Sequence, residues 1–214
     1  MNRLPSMIKE CAIRVRAFAR ETKGSVSVEA AVMMPFLLGL FALTLVWFDA
    51  FRTKNAVLKA TYSVADMVSR ETTELPETFL PGLATVFEYM IDTPDPTSLR
   101  VTSFFCQADC TDEDLRELEM CWSWASGDYP KHTETTARGL ESAVPLMAFG
   151  KGVVVMEGRV DYSPLFQRWL DEIQLRNTIV TQPRWMSQIA LGDQRCLSDG
   201  GEDVGDTTDE NALN

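Results

Sequence analysis

Ala30 to Phe48 is a run of nineteen residues without a single charge, and nothing else in the chain limits the fold so strongly. As a helix rising 1.5 Å per residue it spans roughly 28 Å, close to the ~30 Å hydrocarbon layer of a bilayer. A soluble core helix of this length would carry a polar face, whereas here only Thr44 bears a polar side chain. A secretory signal has a shorter apolar region followed by a small-x-small cleavage site. Val46-Trp47-Phe48-Asp49 is bulky instead, with Arg52 and Lys54 just beyond it, so the pattern predicts a retained anchor.

The charges on either side set an orientation. Arg3, Lys9, Arg14, Arg16, Arg20 and Lys23 precede the span against Glu10 and Glu21, a net +4. The positive-inside rule places that end in the cytoplasm. Residues 25–214 carry 14 basic and 29 acidic side chains, net −15. An exported domain this acidic argues against nucleic-acid binding, which needs a basic surface for phosphate. Within residues 1–19, Met7, Ile8, Ala12, Ile13, Val15 and Phe18 are interleaved with basic residues. That stretch reads either as a helix lying on the anionic inner leaflet or as an unstructured leader.

Cysteine usage agrees with export. Cys11 falls in the leader, while Cys106, Cys110, Cys121 and Cys196 all lie beyond the span, where oxidation is permitted. Four cysteines allow three pairings, and the sequence does not choose among them. The rival reading is zinc, with His132 as an additional ligand. However, C-x3-C-x10-C with the fourth cysteine 75 residues on is a poor match to the paired knuckles of structural zinc sites.

Beyond Asp49, apolar residues recur at Val57, Ala60, Val64, Met67 and Val68, the spacing of an amphipathic helix. The pattern predicts one helix from about Ser25 to Arg70, kinked or loosened at Pro35, where a backbone donor is missing. A second helix is expected over Thr78–Ile91, then a turn cluster at Asp92-Thr93-Pro94-Asp95-Pro96. Strands are expected at Leu99–Phe105, Met120–Ala125 and Gly152–Tyr162, with a fourth at Gln174–Thr181. Thr111–Leu115 reads as a short capped helix, Lys131–Leu140 as a loop entering another, and Phe166–Ile173 as a third. Trp122 and Trp124 share one strand face and, with Trp169, read as packing rather than a ligand platform. Residues 198–214 hold almost nothing that could be buried and read as a disordered acidic tail.

Glu29 stands at the mouth of the apolar run, where a glutamate carried to the bilayer centre would cost about 2.5–3.5 kcal/mol. Gly24, five residues earlier, would let an extended backbone enter a narrow protease cleft without a side-chain clash. Cleavage after Gly24 would give Ser25 a charged amine at the start of a helix, with Glu29 one turn along. Glu29 could then neutralise its own amine or, in a helical bundle in lipid, that of a neighbouring subunit. The other reading of Glu29 is an interfacial residue in the headgroup zone.

The segment Lys23-Gly24-Ser25-Val26-Ser27-Val28-Glu29-Ala30-Ala31-Val32-Met33-Met34-Pro35 resembles the N-terminal signature of TadE-like proteins, the pseudopilins of the tight-adherence (Flp-type) pilus system. Met120–Ala125, Val155–Phe166 and Gln182–Trp185 are more loosely similar to segments of such domains. The resemblance implies cleavage between Gly24 and Ser25 by a membrane-embedded prepilin peptidase. It implies a single-pass protein of the inner membrane, N-terminus cytoplasmic and C-terminal domain periplasmic, whose partners are pilins, pseudopilins and pilus assembly proteins. Major pilins of that system place Tyr after the glutamate and are very short; here Ala30 follows and a large domain trails the span. The implied role is therefore a minor assembly component, with Glu29 and the new amine setting the register between subunits. Ala30, Ala31, Gly39 and Ala42 would permit close helix approach.

The expected fold is α+β: a long N-terminal transmembrane helix continuing into the periplasm and packed on a small antiparallel, pilin-like sheet braced by disulfides. The expected segments are a basic leader (1–24), the transmembrane helix (25–48), its extramembrane continuation (49–75), the α+β domain (76–197) and the tail (198–214). No catalytic role, metal or cofactor is expected. There is no Gly-x-Ser-x-Gly elbow, P-loop or Gly-x-Gly-x-x-Gly fingerprint. His132, the only histidine, lies in a polar stretch and reads as a solvated surface residue, and Asp171 and Glu172 as the exposed face of a helix. Two other readings remain: an uncleaved membrane-anchored binding or sensor domain, and an exported hydrolase or metal site built on the cysteines.

Overall fold

A computed structural model of the chain describes residues 25–164 and 171–196. The leader with Cys11 and Gly24, Trp169 with most of the helix expected at Phe166–Ile173, and the tail over 198–214 lie outside the described residues. The chain divides into two compact units, 1–48 and 49–214.

Helix α1 runs without a break from Ser25 to Ser69, with Pro35 inside it. Over Ala30–Phe48, in the N-terminal unit, it is apolar apart from Thr44, and most of its side chains are exposed, Phe36 at 71% and Phe41 at 62%. The part in the second unit is amphipathic and buries Val57, Ala60, Val64 and Val68. The helix ends at Ser69, short of residue 75. Arg70 and Glu71 donate to the carbonyls of Met67 and Val68, tightening the last turn. Leu75 is then drawn into a parallel bridge with Leu191, and Pro76 comes next.

Helix α2, Phe79–Ile91, buries Leu80, Leu83, Phe87 and Ile91, a three-and-four spacing along one side. It stops at Asp92, which adopts a left-handed conformation (φ 50°) and donates its N–H to Glu88 O. An aspartate tolerates this region better than most residues, and Pro94 and Pro96 prevent the helix resuming.

The four strands are β1 (Thr97–Ala108), β2 (Glu117–Ala125), β3 (Gly152–Tyr162) and β4 (Ile173–Thr181). They form one antiparallel sheet in the order β2-β1-β3-β4. Period-two alternation sorts its two faces. The first face presents Leu99, Val101, Trp122, Val154, Met156, Val160 and Ile179 to the apolar sides of α1 and α2. Gly158 marks the closest approach: a Cβ there would sit 2.5 Å from Thr61 Oγ1 and 2.8 Å from the Phe87 ring.

The second face is split. At one end Phe104, Val153 and Val155 form a smaller apolar cluster with Ala137, Val144 and Met147. At the other end the same face carries Arg100, Glu157, Arg159 and Asp161. Residues 109–116 form turns rather than the short helix expected at Thr111–Leu115, because Asp112 turns its carboxylate onto the Asp114 N–H. A side chain that satisfies the backbone locally competes with helix formation. Asp171 and Glu172 are exposed but irregular, and Ile173 already belongs to β4. Helix α3 (Glu134–Ala137) and a 3-10 turn (Arg138–Ala143) occupy the segment expected to be loop entering a helix.

Candidate functional site

Among the described residues, α1 is long and apolar enough to cross a membrane: its most apolar stretch has a mean hydropathy of 2.2 and is 6% buried. Ser25, the first described residue of α1, immediately follows the peptide bond expected to be cut, and Glu29 lies four residues along. Four residues is just over one turn, so cleavage before Ser25 would leave the Glu29 carboxylate near the positive end of the helix dipole. Glu29 is exposed.

All four cysteines beyond the span are paired. Cys106 is bonded to Cys110 and Cys121 to Cys196. The first closes the β1 end of the smaller core. The second ties edge strand β2 to the C-terminal segment, where Trp122 Nε1 also donates to Ile189 O at 2.8 Å. Trp122 is buried, and Trp124 packs against the same cluster. With every thiol of the domain in a disulfide, no thiolate is left for zinc, and no group of three potential ligands that could hold a metal occurs among the described residues.

His132 is not solvated. Its side chain is 8% exposed, with Nε2 at 3.0 Å from Glu157 Oε2 and Nδ1 at 3.1 Å from Thr136 Oγ1. Arg100 reaches the same carboxylate through Nε (2.7 Å) and Nη2 (2.8 Å). Desolvation would raise the Glu157 carboxyl, but the hydrogen bonds from Arg100 and His132 outweigh it and hold the group below the ordinary carboxylate range. Tyr129 lies between two guanidinium groups, with Arg100 at 4.4 Å and Arg159 at 4.6 Å from its ring centre. Burial, reinforced by the Glu157 charge, pushes its phenol up, and Arg176, Arg100 and Arg159 partly offset this.

This network fastens the 126–137 segment over the charged half of the sheet. Further ties are Asp128 N–H to Ser98 Oγ, His132 N–H to Ser123 Oγ, and Arg100 Nη1 to Pro130 O. A stacked tyrosine, a saturated carboxylate and an imidazole engaged at both nitrogens make a clasp. The hydroxyl beside the ring, Thr136 Oγ1, also accepts from the Thr133 N–H at 2.8 Å and so belongs to the cap of α3. Sequence reasoning misses this cluster because Arg100 and Glu157 are 57 positions apart. Its one local signal is the alternation Glu157-x-Arg159-x-Asp161 inside an otherwise apolar strand.

No family model, no curated protein and no solved structure matches the chain.

Proposed function

We propose that this chain is a membrane-anchored structural component of a pilus-type assembly, a pseudopilin resembling TadE-like proteins, released from its leader by prepilin peptidase between Gly24 and Ser25. The order of residues along α1 carries the reading. From Ser25 onward the helix places one carboxylate a turn later and then presents an uncharged surface, apolar apart from Thr44, over Ala30–Phe48. In the mature chain the Ser25 ammonium and Glu29 would compensate each other in lipid, within one copy or between neighbours, removing most of the burial cost of each. The leader stays on the cytoplasmic side of the inner membrane, and the disulfide-braced domain lies in the periplasm. The domain acts as a rigid head that offers its surfaces to other pilins, pseudopilins and assembly proteins.

Intact mass and N-terminal sequence of the protein extracted from membranes test the proposal. A chain starting at Ser25 is expected, together with loss of assembly in Glu29→Gln. A chain retaining residues 1–24 overturns it and leaves an uncleaved anchored domain with a binding or sensing role.

A further inference from the structure

Just past the uncharged run the second unit holds an open cavity of about 240 Å³. The first residues of α1 after Phe48, the end of α2 and the end of β3 enclose it. Asp49 and Arg52 come from α1, Asp92 and Asp95 from the turn after α2, and Tyr162 from β3. Ala56, Ile91 and Pro94 give it an apolar wall.

Its electrostatics are directional. Ile91 and Asp92 line the cavity and form the C-terminus of the 13-residue α2, so the negative end of that helix dipole adds to three carboxylates. Two of the carboxylates are already oriented. Asp49 Oδ2 accepts from the Tyr162 hydroxyl at 2.7 Å, and Asp95 Oδ2 from Thr93 Oγ1 at 3.3 Å. Burial, then Asp49 as acceptor, pushes the Tyr162 phenol up, so it remains a donor. Arg52, on the same wall as Asp49, is exposed and makes no ion pair among the described residues. The carboxylates are not gathered as a metal ligand set. A cavity with spaced acceptors, an apolar wall and one cation suits a larger zwitterion, with an ammonium at one end and an anion at the other.

The position along the chain supplies the source. Asp49 directly follows Phe48, so a bilayer that takes up Ala30–Phe48 has its headgroups at the level of Asp49–Thr53. We propose that this cavity binds the headgroup of an ethanolamine phospholipid, its ammonium donating to Asp92, Asp95 and Asp49 and its phosphate facing Arg52. A primary ammonium fits better than a quaternary one, because only the former donates hydrogen bonds to carboxylates. The inference rests on the membrane reading above. It adds that the second unit selects lipid by headgroup.

The test uses the full chain in nanodiscs of equal parts phosphatidylethanolamine, phosphatidylcholine and phosphatidylglycerol, with native mass spectrometry of the lipid retained after release. Retention favouring ethanolamine by about fivefold is expected, the discrimination of roughly one well-made charge contact. Asp92→Asn with Asp95→Asn should remove the preference. Asparagine tolerates the left-handed conformation at residue 92, and an unchanged near-ultraviolet circular dichroism spectrum would show the fold intact. Arg52→Gln, remote from the core, should weaken retention as well. Equal retention of the three lipids, a preference for choline or glycerol headgroups, or a preference unmoved by the aspartate variant overturns the inference and leaves the membrane reading standing. Failure of the chain to enter nanodiscs overturns both.

Discussion

Gly158 is where the structure can be tested most sharply, because a single methyl group there meets two elements at once. A Cβ at this position lies 2.5 Å from Thr61 Oγ1 and 2.8 and 2.9 Å from Phe87 Cζ and Cε2. Neither neighbour yields easily. The Thr61 hydroxyl is bound to Val57 O at 2.7 Å and the residue is fully buried, while Phe87 is packed within the main core. Gly158→Ala must therefore push α1 and α2 off the sheet or break the Thr61 bond. Overpacking costs roughly 1–3 kcal/mol and a lost buried hydrogen bond about 1 more, so the expected loss is about 2–4 kcal/mol. That is a large share of the ~5–15 kcal/mol that holds a domain folded. Urea unfolding of the full chain in mild detergent, followed by tryptophan fluorescence, would show a lower midpoint at unchanged slope. Thr61→Ala, destabilising alone by about 1 kcal/mol through its lost hydrogen bond, should restore part of the loss when combined with Gly158→Ala, with a coupling of about 1 kcal/mol or more. A Gly158→Ala variant within ~0.5 kcal/mol of wild type, the scale of an ordinary surface substitution, would refute the close helix–sheet approach.

The two disulfides should differ in weight. By loop-closure entropy, Cys121–Cys196, with a sequence separation of 75, is worth about 4.5 kcal/mol and Cys106–Cys110, with a separation of 4, about 1.9 kcal/mol. Paired Cys→Ala variants compared by thermal melting should show the larger drop for the long-range bridge. Glu157→Gln leaves Arg100 without its counter-charge at a site where both side chains are only 11–12% exposed, and should cost about 3 kcal/mol by denaturant titration. Because the folded Glu157 carboxyl lies below its ordinary value, its stabilisation is present above the unfolded value and is lost as pH falls through the folded one. The acid limb of a stability–pH curve should therefore flatten in Glu157→Gln; an unchanged limb would show that the clasp does not hold the carboxylate charged. Tyr162→Phe removes the donor to Asp49 Oδ2 and should cost about 1–2 kcal/mol, read as a drop in melting temperature.

What is legible in the sequence is what local pattern encodes. The uninterrupted apolar run and its amphipathic continuation locate α1 to within a residue of its observed end, since helix periodicity needs no knowledge of partners. Strand β3 is legible over its full length for the same reason, bounded by Gly152 at one end and Ser163-Pro164 at the other. The outer ends of β1 and β2 are not. Both extend into residues such as Gln107, Glu117 and Glu119 whose strand state comes from pairing across the hairpin rather than from their own propensity. The turn at 109–116 escapes the pattern because a capping aspartate followed by acidic residues opens helices and turns alike, and the Cys106–Cys110 bridge favours the tighter path. Composition misjudges His132: its neighbours are polar, yet its burial is set by Glu157 on a strand 25 positions away.

The split second face of the sheet links these observations. A sheet packed by helices on one side needs its other side covered or solvated, and this domain does both, with the disulfide-capped cluster at one end and a charged half at the other. The charged half is too desolvated to be ordinary surface: Arg159 and Asp161 pair at 3.0 Å with side chains only 9% exposed, and Arg159 Nε and Asp161 Oδ1 find no partner among the described residues. Replacing such ions by apolar residues would often be neutral or stabilising, so their presence is not explained by stability. Geometry offers an explanation: Arg100, Glu157 and Arg159 fix the height of Tyr129 and the path of residues 126–137 over the sheet. An apolar patch in their place would hold the same segment in many registers, because non-directional burial does not distinguish one from another. Directional bonds select one arrangement, as the proposed role of the domain as a head with a fixed surface would require.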